Sequence, residues 1–318
     1  MKKILITGAS GQIGSELVTK LQKVYGERNV VATDIKKTKD GSEDSLFEFL
    51  DVMDAKKFYE TVKKHGVDTI LHLAAILSYK AEINPRLAWE LNMQSLLNGL
   101  EVARELNVKF FTPSSIGAFG PETQKNNTPQ TTIQRPTTMY GINKVAGELL
   151  CEYYYRRYGV DTRGVRFPGL ISAKTLPGGG TTDYAVEIYY EAIRSKSYSC
   201  YIAEGTKLDM MYLPDALQAI IDLMEADPAK LIHQNAYNIT AVSASPRDFA
   251  KAIQKYIPEF SITYNVDPIR QKIADSWPNS LDATCAIEEW GYTYQYNLDR
   301  MTKDMLQKLQ LKIGKDDS

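Results

Sequence analysis

The sequence predicts an α/β protein in which helices cover both faces of a parallel sheet. Two observations support this. Strand-like and helix-like segments alternate through the first two-thirds of the chain, and a glycine-rich turn joins the first strand to the first helix. At 318 residues the chain is long enough for about two domains or one large α/β unit. We therefore expect a Rossmann-type doubly wound parallel sheet with a smaller, discontinuous C-terminal cap.

Each predicted element is a short apolar run or an amphipathic stretch. The predicted strands are Lys3–Thr7, Val30–Thr33, Leu46–Leu50, Thr69–Leu73, Val108–Pro113 and Thr162–Arg166. The helices predicted between and after them are Gln12–Tyr25, Ala55–Lys64, Ala88–Leu106 and Met139–Tyr158. Further along, the pattern predicts a helix over Pro214–Met224 and a strand over Ala236–Thr240 that returns to the sheet.

A change of pattern divides the chain into two predicted domains. Pro177–Gly180 ends the regular alternation, and from about Pro246 the sequence predicts short helices with turns and an aromatic-rich tail. We expect residues 1–170 with about 205–240 to form the dinucleotide-binding Rossmann domain. Residues 171–204 with 241–318 are expected to form a substrate-binding cap.

The composition excludes several classes of function. A net charge of −1 gives no basis for a nucleic-acid or anionic-membrane partner, so neither is expected. No apolar run approaches the roughly 20 residues needed to cross a bilayer. Met1–Lys3 leads directly into the first strand, which is not the pattern of a signal peptide. We therefore predict a cytoplasmic protein that acts on a small molecule.

The cysteine and histidine positions agree with this prediction. The cysteines are odd in number and widely spaced, which argues against disulfides and favours a reducing compartment: Cys151, Cys200 and Cys285. The histidines are equally scattered, so the sequence predicts no metal site: His65, His72 and His233.

A dinucleotide site is predicted at the first strand–helix turn, Gly8–Gly14. Gly8, Gly11 and Gly14 let the backbone approach a pyrophosphate, which lies at the helix N-terminus with Gln12 and Ile13.

An acidic residue after the second strand indicates which dinucleotide binds. Asp34 follows Gly14 by 20 residues and suits the two ribose hydroxyls of NAD, whereas a 2′-phosphate there meets like charge. Lys36 and Lys37 lie beyond the strand end and are expected to face solvent. The sequence therefore predicts NAD rather than NADP.

Two further strand ends are candidates for the same ligand. Asp51 and Val52 are predicted to border the adenine, and Leu73–Ala75 to let the nicotinamide ribose pass close to the backbone. Simple strand-end packing is the alternative for both segments. Asn92 lies in an otherwise apolar helix, where it either braces the active-site backbone or faces solvent.

A serine, a tyrosine and a lysine form the predicted catalytic group. Tyr140 and Lys144 share a helix face, and Ser115 ends an apolar run 25 residues earlier. A tyrosine with its ordinary pKa of about 10 is a poor base at neutral pH, but a neighbouring ammonium lowers that pKa by about 1–3 units. Tyr59 and Lys63 have the same spacing without this context, so the spacing alone is weak evidence.

Taken together, these residues resemble the extended short-chain dehydrogenase/reductase superfamily, from Lys3 to about Trp290. The run Pro177–Tyr184 is similar to a signature of the short-chain-type L-threonine 3-dehydrogenases, which are relatives of UDP-galactose epimerase. Pro113–Gly120, Arg166–Gly169 and Ser276–Pro278 show the same likeness.

The resemblance implies roles for particular residues. It makes Ser115, Tyr140 and Lys144 the catalytic group, and it adds Pro168 to the cofactor contacts. It places Ser78 and Thr181–Asp183 around the amino acid, together with Ser115 and Tyr140. Asp183 also fits as the start of the following helix, and both roles are compatible.

The resemblance also implies a reaction. NAD takes hydride from the β-carbon of L-threonine to give 2-amino-3-oxobutanoate, with Tyr140 as base and Ser115 orienting the hydroxyl. It further implies a homodimer formed through Ala88–Leu106 and Met139–Tyr158, and functional coupling to a 2-amino-3-oxobutanoate ligase.

Two other functions are weighed against this one. The first is a nucleotide-sugar epimerase or dehydratase with tightly bound NAD, and the second is a non-catalytic NAD-binding scaffold. Leu208–Tyr212 lacks an arginine for a pyrophosphate, and we expect its Met210, Met211 and Tyr212 to form a small, dry pocket wall. Trp277 either closes the cap over the site or packs within the cap.

Overall fold

The computed structural model describes residues 1–36, 46–174 and 180–316. Lys37 and Pro177–Gly179, which enter the predictions above, lie outside these residues. The described helices are α1 (Gln12–Tyr25), α2 (Ala55–His65), α3 (Ser78–Ile83), α4 (Pro85–Leu106), α5 (Met139–Tyr158), α6 (Tyr184–Arg194), α7 (Leu213–Glu225), α8 (Pro246–Gln254), α9 (Pro268–Asp275), α10 (Thr284–Trp290) and α11 (Leu298–Asp316).

The strands are short and form four sheets in the described part of the chain. They are β1 (Ile4–Thr7), β2 (Val30–Asp34), β3 (Phe47–Phe49), β4 (Thr69–His72), β5 (Lys109–Phe111), β6 (Ser114–Ser115), β7 (Thr162–Arg163), β8 (Val165–Phe167), β9 (Gly169–Ile171), β10 (Ser197–Cys200), β11 (Leu208–Tyr212), β12 (Tyr237–Asn238), β13 (Val242–Ala244) and β14 (Ser261–Tyr264).

The main sheet has six parallel strands in the order β3-β2-β1-β4-β5-β7. Its order reverses at β1, which places the carboxyl ends of β1 and β4 at the crevice where such sheets bind ligands. Alternate residues of β1 enter different cores. Ile4 and Ile6 pack with α1 and α7, whereas Leu5 packs with α2, α4 and α5. The predicted doubly wound α/β fold is therefore confirmed.

Most predicted elements are present, with instructive differences. Helices α1 and α5 have the predicted bounds. The predicted strand Thr162–Arg166 divides at Gly164, because β7 pairs with β5 while β8 pairs with β6 and β12. A Cβ at Gly164 would lie 2.5 Å from the Thr112 carbonyl oxygen, so this bend requires glycine. Strand β12 returns to this smaller sheet rather than to the main one.

The C-terminal region has its own core, formed by α6, α8 and α11 with β10 and β11. Tyr189, Phe249 and Met305 are fully buried there. Helix α11 is 19 residues long, so the prediction of only short helices after Pro246 was wrong. No helix within the described ranges is long and apolar enough to span a membrane.

Strand β11 lies between the two cores. Met210 and Tyr212 point into the cap core, while Met211 points into the core beneath the main sheet. Ala286 of α10 also packs beneath the main sheet, with α7. We propose the two-domain division given above, with α10 assigned by its packing to the dinucleotide-binding domain.

Candidate active site

The glycine turn forms a close-packed cradle at the end of β1. Gly8 has φ +66°, and a Cβ there would lie 2.8 Å from the backbone nitrogen of Ala74. A Cβ at Gly14 would lie 2.2 Å from the Gly8 carbonyl oxygen. Helix α1 begins directly after Gly11, which has no side chain, so the first-turn N–H groups can face a phosphate. These residues fit a dinucleotide.

Asp34 ends β2 beside this cradle. Its carboxylate accepts hydrogen bonds from the backbone nitrogens of Ser10 (2.9 Å) and Ile35 (2.8 Å). The Lys36 side chain is exposed, as predicted, while its carbonyl accepts the Ser10 hydroxyl at 2.7 Å. Asp34 is therefore held at the strand end, in the position predicted for a ribose contact.

The loop after β3 is fixed by a residue that the sequence analysis did not identify. Val52 is buried, and Asp51 is exposed with a carboxylate oxygen that accepts the Met53 backbone nitrogen at 2.9 Å. Asn98 of α4 donates to the carbonyls of Val52 (2.9 Å) and Met53 (3.2 Å). The position of Asn98 on the apolar face of a long helix was the sequence feature that could have identified it.

The end of β4 is organised by Thr7. Its hydroxyl oxygen lies 3.2 Å from the backbone nitrogen of Leu73, 3.4 Å from that of Ala74 and 2.9 Å from Nδ1 of His72. These contacts hold Leu73–Ala75 against the glycine cradle, and Leu73 and Ala75 line the adjoining cavities.

Asn92 braces the backbone next to this segment. Its Oδ1 accepts the Ile76 nitrogen at 2.7 Å, and its Nδ2 donates to the Ile76 carbonyl (3.2 Å) and to Asn143 Oδ1 (3.1 Å). Of the two interpretations, bracing is therefore the one observed. Because Asn143 is on α5, the contact also ties the end of β4 to the helix that carries Tyr140.

Ser115, Tyr140 and Lys144 are brought together at the rim of one cavity. Lys144 Nζ lies 5.3 Å from the centre of the Tyr140 ring and donates to the Pro113 carbonyl at 2.6 Å. Ser115 ends β6, and its hydroxyl accepts the Gly117 backbone nitrogen at 3.1 Å. Tyr140 is buried with 9% of its surface exposed.

Two glycines permit this approach of loop and helix. A Cβ at Gly141 would lie 2.2 Å from the Gly117 carbonyl oxygen, so α5 meets the loop without space for a side chain. A Cβ at Gly117 would lie 3.1 Å from the Tyr140 ring and 3.5 Å from the Ser115 hydroxyl. The serine hydroxyl and the edge of the tyrosine ring therefore border the same point.

The cavity continues to the residues implied for the amino acid and, with the space at its open mouth, measures about 790 Å³. The hydroxyls of Ser78 and Thr181 lie 3.2 Å apart, and both residues are buried. The Asp183 carboxylate accepts the Gly180 nitrogen at 2.8 Å and makes no side-chain cap to α6. Asp183 is therefore the N-cap residue at the start of α6, as considered, but it caps the helix through its backbone carbonyl and not through its side chain. Thr182 also lines the cavity.

The surrounding wall differs in part from the prediction. Pro168 and Trp277 line the cavity, and Trp277 is also 4% exposed and part of the cap core, so its two interpretations hold together. Met210, Met211 and Tyr212 are almost fully buried in the two cores and do not line the cavity of Tyr140, so their prediction as its wall was wrong. Their long apolar side chains fill the seam between the domains.

A buried ion pair behind the predicted catalytic group was also missed. Arg166 of β8 donates to both oxygens of Glu148 on α5, at 3.0 and 2.8 Å. The Ser114 hydroxyl donates to the same carboxylate. Glu148 lies one helical turn after Lys144, so this pair fixes α5 to the strand beside Ser115. The pairing joins residues far apart in sequence, which no local pattern reveals.

His72 is the strongly perturbed histidine at this site. Burial, and secondly the Lys144 ammonium, lower its pKa to about 3. It therefore remains neutral, with Nδ1 facing the Thr7 hydroxyl and Nε2 facing that of Ser95.

This shift predicts acid sensitivity. Below the unfolded-state pKa of about 6.5 the unfolded chain binds a proton that the folded chain does not, so stability falls as pH decreases towards 3. We expect His72 alone to lower the free energy of unfolding by about 2 kcal/mol between pH 7 and pH 5. Urea unfolding at both pH values should show a smaller difference for His72→Gln than for the unsubstituted chain. An unchanged difference contradicts the assignment.

A parallel sheet with a glycine cradle at its carboxyl edge defines a dinucleotide-binding protein. The model of the NAD dependent epimerase/dehydratase family matches residues 4–240. The chain therefore belongs to this family, and NAD is its cofactor.

Among the proteins similar to this chain are an uncharacterized member of the family and structures of L-threonine dehydrogenases. An uncharacterized epimerase/dehydratase of Staphylococcus saprophyticus is 59% identical over 312 residues, with 98% of each chain covered. The structure of L-threonine dehydrogenase from Clostridium difficile is 63% identical, with a TM-score of 0.96 and 98% of each chain covered. The holo form of an L-threonine dehydrogenase from Cupriavidus necator is 48% identical, with a TM-score of 0.94 over 96% of this chain and 99% of that one.

Proposed function

We propose that the chain oxidises the β-hydroxyl of L-threonine to 2-amino-3-oxobutanoate with NAD. The observation that carries this proposal is the single cavity in which Tyr140 and Ser115 adjoin the hydroxyls of Ser78 and Thr181 and the carboxylate of Asp183. The similarity to L-threonine dehydrogenases over nearly the whole chain supports it.

The proposed chemistry follows from the positions of the three catalytic residues. Bound NAD, held by Gly8–Gly14 and Asp34, supplies the hydride acceptor. The Tyr140 phenolate takes the proton of the β-hydroxyl, and the Lys144 ammonium stabilises that phenolate by its charge. Ser115 donates a hydrogen bond to the same substrate oxygen and so orients it. The products are NADH, the ketone and a proton held on Tyr140.

The amino-acid end of the substrate requires complementary groups. Threonine is a zwitterion, so its ammonium needs an acceptor and its carboxylate needs donors. Asp183 supplies a carboxylate at the cavity wall, while Ser78 and Thr181 supply hydroxyl groups within hydrogen-bonding distance of each other. We assign these roles to these residues as part of the proposal.

Substitution of Asp183 by Asn is expected to raise the KM for L-threonine about 10- to 100-fold, because a charge-assisted hydrogen bond to the ammonium is weakened. NAD affinity, measured by fluorescence titration, should be unchanged because Asp183 is not among the residues assigned to NAD, Gly8–Gly14 and Asp34. Glu191→Gln, on the same helix outside the cavity wall, is the matched control. Equal KM values for the two variants contradict the role of Asp183.

The deciding assay for the proposed function measures NADH formation from NAD and L-threonine, with L-serine, L-allo-threonine, UDP-glucose and NADP in parallel. We expect NADH with L-threonine and NAD. Interconversion of a nucleotide sugar without net NADH, and no reaction with threonine, overturns the proposal in favour of an epimerase. Binding of NAD without either reaction leaves the scaffold function.

Dimerisation through α4 and α5 is part of the same proposal. The two helices pack together and expose large apolar side chains, including Trp89 (45%), Leu149 (66%) and Tyr153 (51%). We propose that a second copy of the chain covers this surface, and sedimentation equilibrium measures the resulting mass. We further propose a cytoplasmic location, consistent with three unpaired cysteines, and coupling to a ligase that consumes the product.

A further inference from the structure

Three potential metal ligands meet away from the catalytic cavity. Cys285 and Glu289 are one turn apart on α10, and His233 approaches them from the segment before β12. Their ligand atoms all lie within 4.8 Å of one another. The sequence alone does not predict this cluster, because His233 is about 50 residues from the other two and only folding brings them together.

The carboxylate of Glu289 is oriented by its neighbours. Its Oε2 accepts the backbone nitrogens of Ile232 (2.6 Å) and His233 (3.2 Å) and the hydroxyl of Tyr237 (2.5 Å). This leaves Oε1 facing Nδ1 of His233 at 2.5 Å. Hydrogen bonds that fix one oxygen and direct the other are characteristic of the outer partners of metal-ligating carboxylates.

We propose that His233, Cys285 and Glu289 bind a divalent transition-metal ion of the zinc class, with water as the fourth ligand. A sulfur, a nitrogen and a single carboxylate oxygen suit Zn²⁺ and disfavour Ca²⁺ or Mg²⁺, which prefer oxygen ligands. On binding, the Cys285 thiol releases its proton to solvent, and the imidazole proton resides on Nε2. The contact between Nδ1 and Oε1, 2.5 Å in the structure, opens on binding, because Zn–N and Zn–O bonds of about 2.0–2.2 Å in tetrahedral geometry need a wider separation of these two atoms.

The site has an entry path and a structural role. Glu289 is buried, whereas the His233 side chain is 28% exposed and Cys285 is half-buried, so an ion can enter from solvent. The segment that carries His233 includes Gln234 and Ala236, which both have positive φ. The ion ties this segment to α10. None of its three ligands lines the cavity of Tyr140, so the role is stabilising rather than catalytic.

Cobalt binding tests the proposal directly. The purified full chain is freed of metal with a chelator, kept reduced without added thiol, and titrated with Co²⁺. We expect a thiolate-to-cobalt charge-transfer absorption in the near ultraviolet, which Zn²⁺ removes by competition. Cys285→Ser should abolish the absorption, and His233→Gln should weaken Co²⁺ binding at least about ten-fold.

Two matched controls distinguish the site from ordinary surface binding. Glu288→Gln removes an exposed carboxylate of the same helix, and His65→Gln removes a histidine that also pairs with a glutamate, Glu48, at 2.7 Å. Both should keep the absorption. Zn²⁺ should raise the melting temperature of the unsubstituted chain and of both controls, but not that of Cys285→Ser.

Two results overturn the proposal: no charge-transfer absorption in the folded chain, or an absorption that persists in Cys285→Ser. Circular dichroism establishes that each variant is folded. If His233→Gln does not fold, the Cys285→Ser result decides alone, because replacing a half-buried sulfur by oxygen makes the smaller change.

Discussion

Replacing Tyr140 by phenylalanine is expected to lower kcat for L-threonine oxidation by about 10²–10⁴-fold, the usual contribution of a positioned acid–base group. The change removes one oxygen atom and keeps the ring that packs beside Gly117. The Lys144 ammonium then has no phenolate to stabilise, and the substrate hydroxyl has no base. NAD binding should persist, because the glycine cradle and Asp34 are untouched.

The chain contains a matched control for this experiment. Tyr59 and Lys63 have the same spacing on α2, and Lys63 Nζ lies 5.7 Å from the Tyr59 ring centre, compared with 5.3 Å for Lys144 and Tyr140. Tyr59→Phe should leave kcat unchanged. Steady-state kinetics with fluorescence titration of NAD separates the two effects. Full activity of Tyr140→Phe, or equal losses in both variants, contradicts the proposed base.

Comparison of these two pairs shows what sequence can and cannot establish. The Tyr-x-x-x-Lys spacing dictates only that both side chains share a helix face. At Tyr140 the fold adds Ser115, the close approach at Gly141 and a cavity, whereas Tyr59 lines none of the cavities described above. Order along the chain favours the pair of Tyr140 and Lys144, because parallel strands bring their carboxyl ends to one edge of the sheet.

Features that depend on a local sequence pattern were predictable, because the residues that determine them lie close together in the chain. The bounds of α1 follow from helical periodicity, and those of α5 from the capping residues at its ends, Thr138 and Gly159. The division of a strand at Gly164 was not predictable, since it depends on two different partner strands. Met210 and Met211 were misassigned because a buried seam and a dry pocket wall require the same apolar residues.

The buried polar residues that connect distant segments were the least predictable. Asn98, Glu148 and Glu289 each form hydrogen bonds with a segment distant in sequence. Many other polar and charged residues of the chain are exposed, and the sequence alone does not distinguish the two groups. Burial distinguishes them, and burial is known only after folding. Their energetic importance should exceed that of exposed pairs, because an unpaired buried charge is costly.

Arg166→Met is therefore expected to lower the free energy of unfolding much more than the loss of an exposed ion pair does. Arg166 is 6% exposed, and its guanidinium contacts both oxygens of Glu148, the Gln130 carbonyl (2.8 Å) and Asn238 Oδ1 (3.0 Å). Methionine keeps most of the apolar volume but leaves the Glu148 carboxylate buried without its cation. Breaking a buried pair in this way costs about 3–5 kcal/mol of the free energy of unfolding. Urea unfolding followed by circular dichroism measures it.

A double variant identifies the cause of this loss. The double variant Arg166→Met with Glu148→Leu removes both charges. It should therefore be more stable than Arg166→Met alone, although the single variant changes fewer residues. Arg86→Met breaks the exposed pair with Glu90 (3.1 Å) and should cost less than about 1 kcal/mol. Equal losses at Arg86 and Arg166 contradict the buried-charge argument. If the double variant is more stable than Arg166→Met but has a lower kcat than the unsubstituted chain, Glu148 has a second role. It then holds Lys144, one helical turn before it, in place.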